Sequence, residues 1–282
     1  MKRSDDDDSA GVAVVTGGSA GLGLAIAQAL LAARYRVIIV GRDADRLAQA
    51  AEQLAARAGA NPRRLQTLLA DVTDRQAVEA GFAQVAADFG RLDVLVNCVG
   101  QSDRGRIDSL TRERMIALLD ANVTSALHCA QAALPLLKQS RGSVVNVGSL
   151  AAKVGARYLG GYCAAKHALA GLTQQMRLEW REYGVHVGLV NPGPIQRADA
   201  GQRYAQLGGD APAAAQQPGG GARLRGLPAA VVAQSVLRCI VRRQPDVILP
   251  WHVRLLVAIG HAWPRLGDEL LCRFTKGGER GE

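Results

Sequence analysis

The first apolar run of the chain, Val12-Ala13-Val14-Val15, passes directly into Thr16-Gly17-Gly18-Ser19-Ala20-Gly21-Leu22-Gly23, and no other feature narrows the fold as much. Four apolar residues bounded by glycine read as a short buried strand, and the stretch from Leu22 to Ala33 reads as a helix. Gly17 permits a tight turn, Gly21 lets the backbone approach a ligand, and Gly23 lets the helix pack closely on the strand. A helix that starts this way offers free N–H groups and a positive dipole end, which suit the pyrophosphate of a dinucleotide. Ser19 and Leu22 fall inside the same loop and are assigned to the cofactor site with it.

The same rhythm continues along the chain. Strands are expected at Val37–Val40, Leu65–Ala70, Val94–Asn97, Val144–Val147, Val185–Val190 and Val247–Leu249. Helices are expected over Asp45–Ala58, Asp74–Phe89, about Thr111–Lys138, Tyr162–Tyr183 and Pro228–Arg243. Short apolar strands alternating with helices of ten or more residues indicate a doubly wound parallel sheet in three α/β/α layers, of the Rossmann type. With 282 residues the chain suits a single large domain, assigned to residues 11–250. Residues 1–10, with Asp5 to Asp8, read as a disordered acidic tail. Residues 198–227, rich in Gly, Pro and Ala, read as a mobile substrate loop.

Residues 251–282 read as a C-terminal apolar helical extension. Trp251, Leu255, Ile259, Trp263, Leu266, Leu270 and Phe274 recur every three or four residues, and Arg254, Arg265 and Arg273 flank the stripe. The plainer reading is two short helices packed on the body or on a partner subunit. The sharper one is a peripheral membrane contact through 251–274. No apolar stretch is long enough to span a bilayer.

Five scattered cysteines without a C-x-x-C pair indicate reduced thiols and a cytoplasmic setting. The five histidines show no metal-ligand spacing, so no metal is expected. A net charge of +9 raises the question of nucleic acid. However, the arginines are dispersed and lack interleaved aromatic platforms, so no nucleic-acid partner is expected.

Chemistry is concentrated in Gly161-Tyr162-Cys163-Ala164-Ala165-Lys166, with Ser149 ahead of it at the end of a strand. Residues four apart share one helix face. An ammonium beside a phenol favours phenolate and brings an ordinarily weak acid toward general acid–base use. A serine hydroxyl from a neighbouring strand end can hold a substrate oxygen against that phenol, and the trio reads as proton transfer to or from a carbonyl or alcohol.

Cofactor preference is read from the end of strand two, Val40-Gly41-Arg42. An NAD site usually places a carboxylate there for the ribose 2′-hydroxyl, whereas Arg42 suits a 2′-phosphate. NADP(H) is preferred, with NAD(H) also compatible, and Asp43 is read as the cap of the next helix. Asp71-Val72 either brackets the adenine ring or, for Asp71, caps the helix before Asp74.

With these motifs in order from Val12 to Ile195, the chain resembles the short-chain dehydrogenase/reductase family. The residues that carry the likeness are the Thr16–Gly23 loop, Asp71, Asn97-Cys98-Val99-Gly100, Asn122, Ser149, Tyr162-x-x-x-Lys166 and Asn191-Pro192-Gly193. The resemblance implies that Tyr162 is the acid/base and that Lys166 both lowers its pKa and holds the nicotinamide ribose. Ser149 would orient the substrate carbonyl, and Asn122 would position a water that links Lys166 to solvent. Asn97, Gly100, Pro192, Gly193 and Ile195 are implied to shape the cofactor site.

Two departures stand out. Cys98-Val99 replaces the family's Asn-Ala, and Arg197 stands where many members carry a threonine against the nicotinamide carboxamide. The implied function is an NADP(H)-dependent interconversion of a ketone and a secondary alcohol, with a hydrophobic or lipid-like substrate and a homodimer or homotetramer. A 3-oxoacyl thioester reductase and a non-catalytic dinucleotide sensor are the alternatives.

Overall fold

The computed structural model describes residues 10–58, 64–196 and 224–275. The acidic tail up to residue 9, Arg197, residues 198–223 of the expected substrate loop and the side chain of Phe274 lie outside the described residues. One seven-stranded, wholly parallel sheet organises the rest, in the order β3-β2-β1-β4-β5-β6-β7. Its strands are β1 (Val12–Thr16), β2 (Arg36–Gly41), β3 (Leu65–Leu69), β4 (Val94–Asn97), β5 (Ser143–Val147), β6 (His186–Pro192) and β7 (Asp246–Leu249). β1, β4, β5 and β6 are buried along their whole length. Strands covered on both faces have no polar alternation to preserve, which explains their near-continuous apolar sequence.

Two apolar cores flank the sheet. On one face α1 (Gly21–Ala32), α2 (Ala44–Ala58) and α7 (Ala229–Val241) pack through Ile26, Leu54 and Val236. On the other face α3 (Arg75–Phe89), α5 (Ser125–Ser140) and α6 (Tyr162–Glu179) pack through Phe82, Leu137 and Met176. The expected three-layer doubly wound architecture is the one observed. The strand order reverses between β1 and β4, so a crevice opens beyond their carboxyl ends.

The helix expected over Thr111–Lys138 is not one regular α-helix. It consists of α4 (Arg112–Leu119), a π turn at Asp120–Thr124 and α5. The wide turn buries Asn122 completely, against the pull that a polar side chain ordinarily feels toward solvent. Caps fall where local chemistry puts them. Asp43 accepts from the Arg46 N–H at 3.0 Å, and Asp74 accepts from the Gln76 and Ala77 N–H groups at 2.8 and 3.3 Å. Asp71 is therefore not the helix cap; its carboxylate bonds Thr73 instead.

His186, at the start of β6, is buried, and burial, with Arg243 and Arg177 adding, pushes its imidazole down to about 4. The unfolded chain takes up a proton near pH 6.5 that the folded protein refuses. Stability is thus full above that value and falls as the pH drops toward 4. At 1.36 kcal/mol per pKa unit the loss is at most about 3 kcal/mol. Urea midpoints at pH 7.5 and 4.5 check this: wild type should lose more stability than His186→Gln, and equal losses would contradict it.

Candidate active site

β1 delivers its last residue, Thr16, to the crevice. The Thr16 hydroxyl accepts from the Cys98 N–H at 3.0 Å and so ties the glycine loop to the end of β4. Within the loop Gly17 and Gly21 have φ of +67° and +55°, conformations that disfavour side chains. A Cβ on Gly23 would lie 2.1 Å from the Gly17 carbonyl oxygen, so only glycine lets α1 approach this closely. α1 has no side-chain cap and no acidic residue in its first turn, which leaves its N-terminal N–H groups and dipole available to an anion. These features fit the pyrophosphate of a dinucleotide.

Beyond β2, Arg42 is 78% exposed and reaches Asp71 at 3.6 Å. The Thr73 N–H and hydroxyl, with Arg42 adding to them, hold the Asp71 carboxyl below the usual carboxylate range. Val72 beside it is buried. Ser19 lies next to Gly41, where an added Cβ would sit 3.3 Å from its Oγ. The residues assigned to the adenosine end thus gather at the ends of β2 and β3.

On the other side of the switch point, Ser149 follows β5 and Tyr162 opens α6. Ser149 begins a short 3-10 turn, and its Oγ accepts from the Ala151 N–H at 3.2 Å. Lys166 is buried; its Nζ donates to the Val147 carbonyl at 3.0 Å and lies 5.8 Å from the Tyr162 ring centre. Burial pulls its ammonium down to about 8, and Cys98 opposes part of the fall. At neutral pH most of the positive charge is therefore retained.

Asn122 donates from Nδ2 to the Gln101 and Leu118 carbonyls, both at 2.9 Å, while its buried Oδ1 has no protein partner among the described residues. Gly100 stands against both groups: a Cβ there would lie 2.7 Å from Asn122 Oδ1 and 3.2 Å from Lys166 Nζ. Asn97 helps close the floor, donating to Asn146 Oδ1 at 2.9 Å.

A cavity of about 540 Å³ brings these groups together. Leu22, Gly100, Asn122, Ser149, Tyr162 and Lys166 line it, and Pro192, Gly193 and Ile195 close the side formed by β6. Cys98 is a half-buried residue of the cavity wall. Gly17, Ser19, Gly21, Gly23, Arg42, Asp71, Val72 and Asn97 do not line this cavity: the glycines and Ser19 lie in the loop after β1, Arg42, Asp71 and Val72 beyond β2 and β3, and Asn97 beneath it at the end of β4.

Sequence reasoning missed three supports of this site. Asn146 donates to Thr173 Oγ1 at 2.8 Å, and Thr173 donates to the Leu169 carbonyl, so a buried polar chain runs from β4 through β5 to α6. Asp103 pairs with Arg114 and accepts from the Gly161 N–H at 3.1 Å, which fixes the residue preceding Tyr162. Finally, α8 (Val253–Ala262) and α9 (Pro264–Thr275) cover the cavity, contributing Val253, Leu256, Val257, Leu270 and Leu271 to its wall. The apolar periodicity of 251–274 announced helices there but not their position over the site.

Comparison with known proteins decides the family. The profile of the short chain dehydrogenase family matches residues 11–206. The chain is a member of the short-chain dehydrogenase/reductase family. This short-chain dehydrogenase/reductase is 35% identical over 185 residues to an uncharacterized oxidoreductase of Staphylococcus epidermidis, covering 65% of this chain and 77% of that protein. It is 34% identical over 182 residues to D-threitol dehydrogenase of Mycolicibacterium smegmatis, covering 64% of this chain and 68% of that protein. Among solved structures it resembles an alcohol dehydrogenase of the archaeon Thermococcus sibiricus complexed with 5-hydroxy-NADP. That likeness has a TM-score of 0.69 and 26% identity, covering 84% of this chain and 95% of that one. The enzyme is an oxidoreductase of this family, and α8 and α9 lie beyond the residues that the profile matches.

Proposed function

We propose that this enzyme interconverts a ketone and a secondary alcohol with NADP(H), that Tyr162 is its acid/base, and that its substrate is hydrophobic. The observation that carries the reading is the convergence of Asn122, Ser149, Tyr162 and Lys166 on one apolar cavity. When bound, the nicotinamide cofactor supplies or accepts the hydride. The chain's own residues do the remaining work. Ser149 Oγ holds the substrate oxygen, and the Tyr162 hydroxyl gives a proton to it in reduction or takes one in oxidation. The Lys166 ammonium stabilises the phenolate left on Tyr162. Asn122 Oδ1, lacking a protein partner beside Lys166, is suited to hold a water that returns the proton. Much of the acceleration comes from holding the reacting groups in one geometry.

The loop Thr16–Gly23 and the N-terminus of α1 would hold the pyrophosphate. Lys166 would hold the nicotinamide ribose, and Pro192, Gly193 and Ile195 would flank the ring. NADP(H) preference rests on Arg42. Its exposed pair with Asp71 contributes about 0–1 kcal/mol, so the guanidinium is readily turned onto a 2′-phosphate. The solved relative's bound NADP analogue supports the same reading.

A panel from short ketones to long-chain and steroid-like ketones, each with NADPH and NADH, tests the function. Turnover of none of them with either cofactor would leave a dinucleotide sensor as the better account. Arg42→Ala should weaken NADPH on the order of tenfold or more in kcat/KM while leaving NADH nearly unchanged, because the charged contact that Arg42 would make to the 2′-phosphate is lost. An unaltered NADPH/NADH ratio would remove Arg42 from the preference.

A further inference from the structure

The hairpin α8–α9 has an apolar face on each side. Inwardly, Val253 and Val257 pack against Leu150, and Leu270 and Leu271 complete the cavity wall. The two helices meet at backbone contact, since a Cβ on Gly267 would lie 2.5 Å from Gly260 Cα. Outwardly, Trp251 is 75% exposed, Leu255 64%, Trp263 64% and Leu266 47%. Ala258 and Ala262, both exposed, share the helix face of Leu255. Two exposed indoles at the two ends of α8, with Leu255 and Leu266 exposed on the same hairpin, leave apolar surface that calls for a partner.

We propose that this outer face docks on an anionic phospholipid surface, so that an apolar substrate reaches the cavity from the lipid. Arg254, Arg265 and Arg273 are all exposed on the same two helices, opposed by Asp268 and Glu269, and Glu269 lies 4.0 Å from Arg273. The whole chain carries +9. Tryptophans beside arginines suit the headgroup level of a membrane, where indoles settle and cations meet anionic lipid. Leu256 is 39% exposed and also lines the cavity, which places it at the boundary between the outer face and the site.

The dimensions favour a helix pair lying on the surface. α8 has 10 residues and α9 has 12, about 15 and 18 Å of helix against a hydrocarbon core of about 30 Å. No helix among the described residues is long and apolar enough to cross a membrane. A second copy of the chain is the rival occupant of this face, and the mass of the particle in solution tells the two apart.

The docking stands on the hairpin alone; only the delivery of substrate rests on the proposed ketone–alcohol function. Flotation with vesicles of phosphatidylcholine, alone or mixed with phosphatidylserine, tests it on the full chain. Wild type should float with the mixed vesicles, less so at high salt. Trp251→Ala/Trp263→Ala, and independently Leu255→Glu, should lower binding on the order of tenfold or more. Both variants should reduce a short water-soluble ketone as wild type does, yet lose the same factor on a long-chain ketone presented in the mixed vesicles.

The proposal is overturned if wild type stays off the mixed vesicles at low salt or if the variants float equally well. It is also overturned if the tryptophan variant instead halves the particle mass by light scattering, which would give the face to a second copy. Vesicle binding by a wild type that turns over no ketone would sustain the docking and sink the ketone–alcohol reading alone.

Discussion

Tyr162→Phe is expected to lower kcat for carbonyl reduction by roughly 10²–10⁴-fold, the range for loss of a positioned general acid, while NADPH affinity stays within about twofold. The substitution removes one oxygen and leaves the ring that opens α6. Lys166 keeps its bond to the Val147 carbonyl at 3.0 Å, and the buried chain Asn97–Asn146–Thr173 still fixes the rotation of the helix. Cofactor contacts assigned to the glycine loop lie between β1 and the first turn of α1 and are untouched. Fluorescence titration with NADPH and steady-state reduction of an accepted ketone separate the two quantities. Wild-type turnover in the phenylalanine variant would remove Tyr162 from the proton path.

Gly23→Ala carries the second large effect. The new methyl group would sit 2.1 Å from the Gly17 carbonyl oxygen, 2.7 Å from the Gly17 carbonyl carbon and 3.1 Å from the Gly18 nitrogen. All three neighbours are backbone, so either the loop moves or α1 withdraws from β1. Both responses displace the N–H groups that would face the pyrophosphate, and NADPH affinity should fall by on the order of 10²-fold, the loss of one or two hydrogen bonds to a charged group at about 1.5–3 kcal/mol each. Gly171, exposed on α6 with nothing within 4 Å of an added Cβ, provides the control. Gly171→Ala should stabilise the protein by about 0.5–1 kcal/mol, because alanine loses less backbone entropy in a helix. Calorimetry and NADPH titration of both variants check the pair; equal NADPH affinity in both would show that the close approach at Gly23 does not matter.

The Arg42–Asp71 pair and the Asn122 turn show how legibility varied along the chain. Arg42 follows an apolar strand and precedes a capped helix, so its place at the end of β2 follows from local pattern, and the structure puts it there. Asn122 reads in isolation as a weak spot on the surface of a helix. It is buried because the chain widens into a π turn around it and because Gly100, on another loop, leaves room for its Oδ1. Asp71 offered two readings from spacing; the capping one failed because Asp74 was already in place to bind the first free N–H groups of α3.

By itself the sequence determined the alternation of strands and helices, the glycine loop and the Tyr162/Lys166 register. Each of these is a short-range property, fixed by periodicity and by what a glycine or a cap permits within a few residues. Only the tertiary structure decided that Asp103 grips Gly161, that Asn146 links β4 to α6, and that α8 and α9 form the apolar wall of the cavity. Those contacts join residues far apart in the chain. Their partners are chosen by the order of strands in the sheet and by which helix face finds another surface to cover, and a local pattern records neither.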